Sequence, residues 1–193
     1  YIGSHHPEAI AGLIYLDAAY SYAYYTPGVG DPIIDAMDLN ERLHGFLASG
    51  FRDQKDIEAL QRACAQLDKD LRGLEKQRAL MPPQPPRPAG APAPPPIPLA
   101  LSKGRRKYTQ IHVPVLAIFA DPHDFGQLYK DNPKARAAVI ENDRETTSAQ
   151  ADAFQTGVPF ARVIRIPHAD HFVFRSNERE VIREMNEFLA GLF

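Results

Sequence analysis

The 193 residues are long enough to bury a substantial core, and 44% hydrophobic with 24% charged content is the balance of a globular protein. A formal charge of −2 favours neither nucleic acid nor an acidic surface as a partner, and no apolar run reaches the roughly 20 residues of a membrane span. A single cysteine, Cys64, excludes an internal disulfide framework and leaves the compartment undecided, with the cytoplasm the default.

In chain order, the first core signal is the apolar run from Ala11 to Leu16, which stops at Asp17. It lacks alternation, so the expectation is a strand of a parallel sheet, buried on both faces. Tyr20, Tyr22, Tyr24 and Tyr25 follow as aromatic cover or as the wall of a pocket. Pro27, Gly28, Gly30 and Pro32 mark turns. A helix is predicted from Ile34 to Ala48, ending near Gly50, and a second from Asp53 to about Leu80. Along the second, Ile57, Leu60, Cys64, Leu67, Leu71 and Leu74 recur at spacings of three and four, a seam that needs a partner surface. Cys64 is expected in that seam as a small core residue.

Residues 82–98 contain ten prolines in seventeen positions, which excludes helix and central strand and predicts an extended spacer or a ligand for a proline-recognising module. KGRRK at 103–107 reads as a solvated basic loop. Val113 to Phe119 restores the signal of a fully buried strand, and the turn after it carries Asp121, His123 and Asp124. A helix opens at Pro133 and runs to about Phe154, with its later half expected to face solvent. Val163, Ile164 and Ile166 predict a third, interior strand. The loop beyond it holds His168, Asp170 and His171. Asn177 with Glu180 then predicts a reciprocally capped helix, with Val181, Ile182, Met185, Phe188, Leu189 and Leu192 on one face.

Strands alternating with helices imply an α/β fold with a parallel sheet, whose strand ends gather Asp17, then Asp121 and Asp124, then His171 at one edge. A carboxylate that holds a histidine ring in one tautomer and stabilises its imidazolium is what a general base in acyl transfer requires. His168 and His123 read as turn residues, His5 and His6 as a surface pair, and no local spacing marks a metal centre. No cofactor is called for.

GLIYLDAAY, VPVLAIFADPHD and IPHADHFVF resemble, in order and spacing, the last three strands of the α/β-hydrolase fold. The resemblance divides the chain into a sheet core over 1–25 and 109–193 and a helical lid insertion over 26–108. It implies His171 as the catalytic histidine and Asp124 as its acid, with Asp121 and Asp17 as alternatives. It also implies a small apolar, ester-like substrate. Asp170 stands where that family prefers glycine. No serine lies in the G-x-S-x-G frame of a nucleophile elbow, so the resemblance places nucleophile and oxyanion loop upstream, leaving this chain alone without turnover. The nucleophile would be Ser, or Asp as in dehalogenases and epoxide hydrolases. The rival expectation is a non-catalytic interaction protein that uses the proline-rich tract or the leucine seam.

Overall fold

A computed structural model of the chain describes residues 1–18, 25–26, 30–50, 52–80, 90 and 110–192. The proline-rich tract, the basic cluster, Tyr20, Tyr22 and Tyr24 lie outside them; Tyr25 is buried. The chain divides into two compact units. One comprises Tyr1–Val29 with Tyr108–Phe193, the other Gly30–Lys107. The sequence-expected bounds were 1–25 with 109–193 and 26–108.

The first unit is mixed α/β. A short helix α1 (Ile2–His5) and a 3-10 turn (Pro7–Ala9) lead into β1 (Leu13–Leu16). After the inserted unit come β2 (Val115–Ala120) and, across a long helix, β3 (Ala161–Ile166). The three strands form a parallel sheet in the order β1-β2-β3, with Leu13 opposite Val115 and Val115 opposite Ala161.

Alternation sends side chains of every strand to two apolar faces. Val115, Ala117 and Phe119 join Phe154, Ala151 and Val158 on one face, with Leu13, Tyr15 and Val163 against them. Leu116, Ile118 and Ala120 join Ile166, Val173 and Val181 on the other, with Ile14, Leu16, Met185 and Phe188. Having cover on both sides, β2 is buried at every position, which is why its sequence reads as an unbroken apolar run.

The flanking strands differ from expectation. β1 is only half-buried along its length, and β3 is mostly so. Among the described residues each pairs with β2 alone, so one edge of each lacks a neighbouring strand. Arg162 and Arg165 on β3 are held by acids: Arg162 by Glu184 and Glu187, Arg165 by Asp121 and Asp152.

The second unit contains α2 (Pro32–Ser49) and α3 (Gln54–Leu80), which pack on each other. Asp31 caps α2 by accepting from the amides of Ile33 and Ile34, and Gly50 ends it in the left-handed conformation, φ 68°. The leucine seam of α3 is only partly used. Ala63 is buried, but Cys64 is exposed, and so are Leu71 and Leu74. The expectation of Cys64 as a core residue is thus corrected: the buried line of α3 passes one position earlier, through Ala63.

The sheet unit is completed by α4 (Pro133–Gly157), α5 (Val173–Ser176) and α6 (Glu178–Ala190). Asn132 caps α4 through the Ala135 amide. Asn177 stands at the start of α6 as expected, but its side chain makes no capping bond, because the chain enters from α5 by a turn whose backbone bonds do that work. No described helix is long and apolar enough to cross a membrane.

Candidate functional site

The parallel strands deliver their carboxyl ends to one edge, where Asp17, His123 and His171 meet. Asp17 directly follows β1 with a backbone φ of 53°. This left-handed conformation is uncommon outside glycine, although Asp tolerates it better than most, and residues so held concentrate at working sites. It lets the Asp17 carboxylate reach the end of β2, where Oδ1 accepts from the Ala120 amide at 2.9 Å.

The other carboxylate oxygen takes two histidines. Asp17 Oδ2 lies 2.7 Å from His123 Nε2 and 2.8 Å from His171 Nδ1. His123 reaches it from the turn after β2, pinned by a single parallel bridge between His123 and Ala169 and by the Asp124 amide donating to the Ala169 carbonyl. His171 comes from the loop after β3, in which His168 adopts φ 59° and donates its amide to the Pro122 carbonyl. The Asp17 side chain is 4% exposed and that of His123 18%, whereas that of His171 is 64% exposed.

On its far side His123 is held by Asp143 of α4. Nδ1 lies 2.8 Å from Asp143 Oδ1, and the His123 amide donates to Oδ2 at 2.9 Å. Thr147 Oγ1 donates to Asp143 Oδ1 in turn. The hydrogen bond to Asp143, then that to Asp17, lifts the His123 pKa to about 10 against the opposing effect of burial. At neutral pH His123 is therefore an imidazolium, and both ring nitrogens donate. Burial by itself would raise the pKa of Asp17, but hydrogen bonds from His123, the Ala120 amide and His171 outweigh it and hold the group below its ordinary value. Asp143 is lowered in the same way, burial being outweighed by its bonds from His123 and Thr147. One cation between two anions leaves one net negative charge beside the His171 ring.

The three acids that sequence left open are placed differently around His171. Asp124 is exposed and uses Oδ1 to accept from the Gly126 amide in a local turn; among the described residues no hydrogen bond joins it to His171. Asp121 is occupied by Arg165 and Ser148 Oγ. Asp17 alone of the three meets His171.

Two participants escaped sequence reading. His123, read as a turn residue, is the centre of the network. Asp143 lies in the stretch of α4 assigned to solvent, and that assignment is corrected. Ala135, Val139, Thr147, Ala151 and Phe154 are buried at helical spacing, and Asp143 sits on the same stripe between Val139 and Thr147. An acid on the inward stripe of an otherwise amphipathic helix was the available signal. Of the remaining candidates, Asp170 keeps a buried Oδ1 without a hydrogen-bond partner while its amide donates to Ser176 Oγ.

Comparison of the chain with protein-family models, with curated proteins and with solved structures returned no match. The geometry of the strand ends therefore carries the functional reading alone.

Proposed function

We propose that this chain supplies the histidine–carboxylate half of an acyl-transfer site of the α/β-hydrolase type, with His171 as general base and Asp17 as the group that orients it. The observation that supports the reading is the 2.8 Å contact between His171 Nδ1 and Asp17 Oδ2 at the carboxyl edge of a parallel sheet. That bond leaves the proton on Nδ1 and the lone pair on Nε2, the tautomer a general base needs. The ring is open to solvent, where a nucleophile and substrate have access to it.

As Nε2 accepts a proton, positive charge develops on the ring beside Asp17, whose carboxylate is ionised and fixed by three hydrogen bonds. His123 draws on the same oxygen, which moderates that stabilisation; Asp143 offsets His123 and keeps the cluster negative overall. His123 and Asp143 act in this scheme as positioning residues. The reaction further needs a nucleophile and an oxyanion hole, and these 193 residues hold no G-x-S-x-G. The nucleophile is accordingly assigned to sequence outside them. The helical unit, inserted between β1 and β2 in the chain, is assigned to substrate selection, and a small apolar ester is the class proposed.

The test uses the protein isolated from its own cells, its intact mass recorded before and after exposure to a fluorophosphonate, together with hydrolysis of short aryl esters. Expected is a covalent adduct and ester turnover, both suppressed about 10^4-fold by His171→Ala and nearly as far by Asp17→Asn. Absence of both adduct and turnover, or turnover that survives His171→Ala, removes the reading.

A further inference from the structure

Asp17, His123 and His171 also have the composition of a metal site. Each of the three offers one ligand atom, and these atoms all lie within 4.8 Å of one another, the one such group found among the described residues; Asp17 Oδ2 touches His123 Nε2 and His171 Nδ1. They come from three separate strand ends, which is why no local spacing in the sequence marks them. We propose that this trio binds a single late first-row divalent cation such as Zn2+ through those three atoms.

Four features carry the inference. Two imidazoles and one carboxylate form the donor set that such ions take, in contrast to the all-oxygen shells of Mg2+ and Ca2+. Tetrahedral binding with metal–ligand distances near 2.0 Å puts donor atoms about 3.3 Å apart. The contacts of 2.7 and 2.8 Å at Asp17 Oδ2 need open by only about half an ångström to reach that spacing. The rear nitrogen of His123 already rests on Asp143, and Asp143 on Thr147; a carboxylate behind a histidine is the support that metal-bound imidazoles characteristically have. Asp17 and Asp143 together bring two negative charges, the number that balances a divalent ion.

Exposure completes the case. Asp17 and His123 are largely enclosed while His171 faces solvent, so an ion can enter from that side and retain a coordination position for water or another ligand. Three protein ligands with one open position are the pattern of a reactive metal site; closed structural sites use four. A cation here would replace both hydrogen bonds at Asp17 Oδ2: His123 gives up its Nε2 proton to solvent, His171 turns to the tautomer protonated at Nε2, and metal-bound and general-base states are mutually exclusive. The inference itself does not rest on the acyl-transfer reading, since binding is measured without turnover.

The experiment is equilibrium titration of the intact protein with Zn2+, in competition with a chromophoric chelator, and with Co2+ followed by visible absorption. Expected is one ion per chain at sub-millimolar concentration, with the strong Co2+ bands of a four-coordinate N/O site. His171→Ala should weaken binding at least tenfold; its exposed ring makes loss of folding a minor concern, which circular dichroism checks. Asp143→Asn should weaken it about 10- to 100-fold through the outer shell. The paired substitution of His5 and His6 to Ala, which removes the other histidine pair beside an acid, should change nothing. No saturable binding, six-coordinate Co2+ spectra, or affinity unchanged by His171→Ala but lost with His5 and His6 would each overturn the proposal.

Discussion

The two units use charge in opposite ways. In the sheet unit the main buried or half-buried charges face ones of opposite sign: Asp17 and Asp143 around His123, Asp121 against Arg165, Glu184 against Arg162 and Arg183. In the helical unit Asp35, 1% exposed, meets Asp70, a like charge. Burial first, then the hydrogen bond and repulsion from Asp35, raises Asp70 to about 6. Two carboxyls in hydrogen-bond contact share a proton more comfortably than they both ionise. Gly30 is drawn into this contact: its φ is 78°, and a Cβ there would come within 2.3 Å of Asp70 Oδ1. The contrast shows that opposite charges at strand ends lock a geometry over a wide pH range, whereas a like-charge pair makes helix packing respond to acid.

The sheet unit covers both faces of β2 completely, while α2 and α3 leave Leu43, Leu47, Leu71 and Leu74 exposed. Phe154→Ala should therefore have the largest effect on stability, about 3–5 kcal/mol, because the ring is fully buried against Tyr15 and Phe119. Leu74→Ala should change stability by no more than about 0.5 kcal/mol. Urea unfolding of both variants measures the difference, and equal losses would break the comparison.

A smaller effect is expected at the network. Asp143→Asn leaves the His123 imidazolium with a single anionic partner and should cost about 1–3 kcal/mol at neutral pH. The raised pKa of His123 means its contribution is complete below about 6.5 and lost as pH rises through about 10. The lowered values of Asp17 and Asp143 mean that theirs is present above about 3.8 and lost as pH falls through the folded values. The cost of Asp143→Asn should accordingly shrink between pH 7 and pH 10, as urea midpoints across that range would reveal. A cost that is constant or grows would show that His123 carries no charge.

The smallest effect sharpens the contrast from the helical side. A raised acid pKa stabilises the fold below the unfolded value of 3.8, and that contribution is lost as pH rises through about 6. The helices should therefore be better protected from amide exchange at pH 4 than at pH 7, after correction for intrinsic rates. Asp70→Asn should flatten this dependence and raise protection at pH 7. The outcome that would sink the like-charge account is an unchanged pH dependence in Asp70→Asn.

Sequence by itself determined the elements and their class. The unbroken apolar run specified β2, because a strand covered on both faces has no polar side to alternate; β1 was found the same way, although its expected full burial did not hold. Gly50 marked the end of α2, since the left-handed stop is a local backbone requirement, whereas the start at Asp31 and Pro32, two residues before the expected Ile34, came from the structure. Strands alternating with helices specified a parallel arrangement, and hence which ends of the strands would gather. Tertiary structure alone decided which acid meets His171. Asp17, Asp121 and Asp124 all follow strands, and the choice turned on a left-handed backbone at Asp17 and on Arg165 claiming Asp121. It alone revealed that His123 is wired to both Asp17 and Asp143, residues 106 and 20 positions away. Secondary structure is written in spacings of two to four residues, whereas a site assembled from three strand ends and one helix exists only once the sheet has registered them.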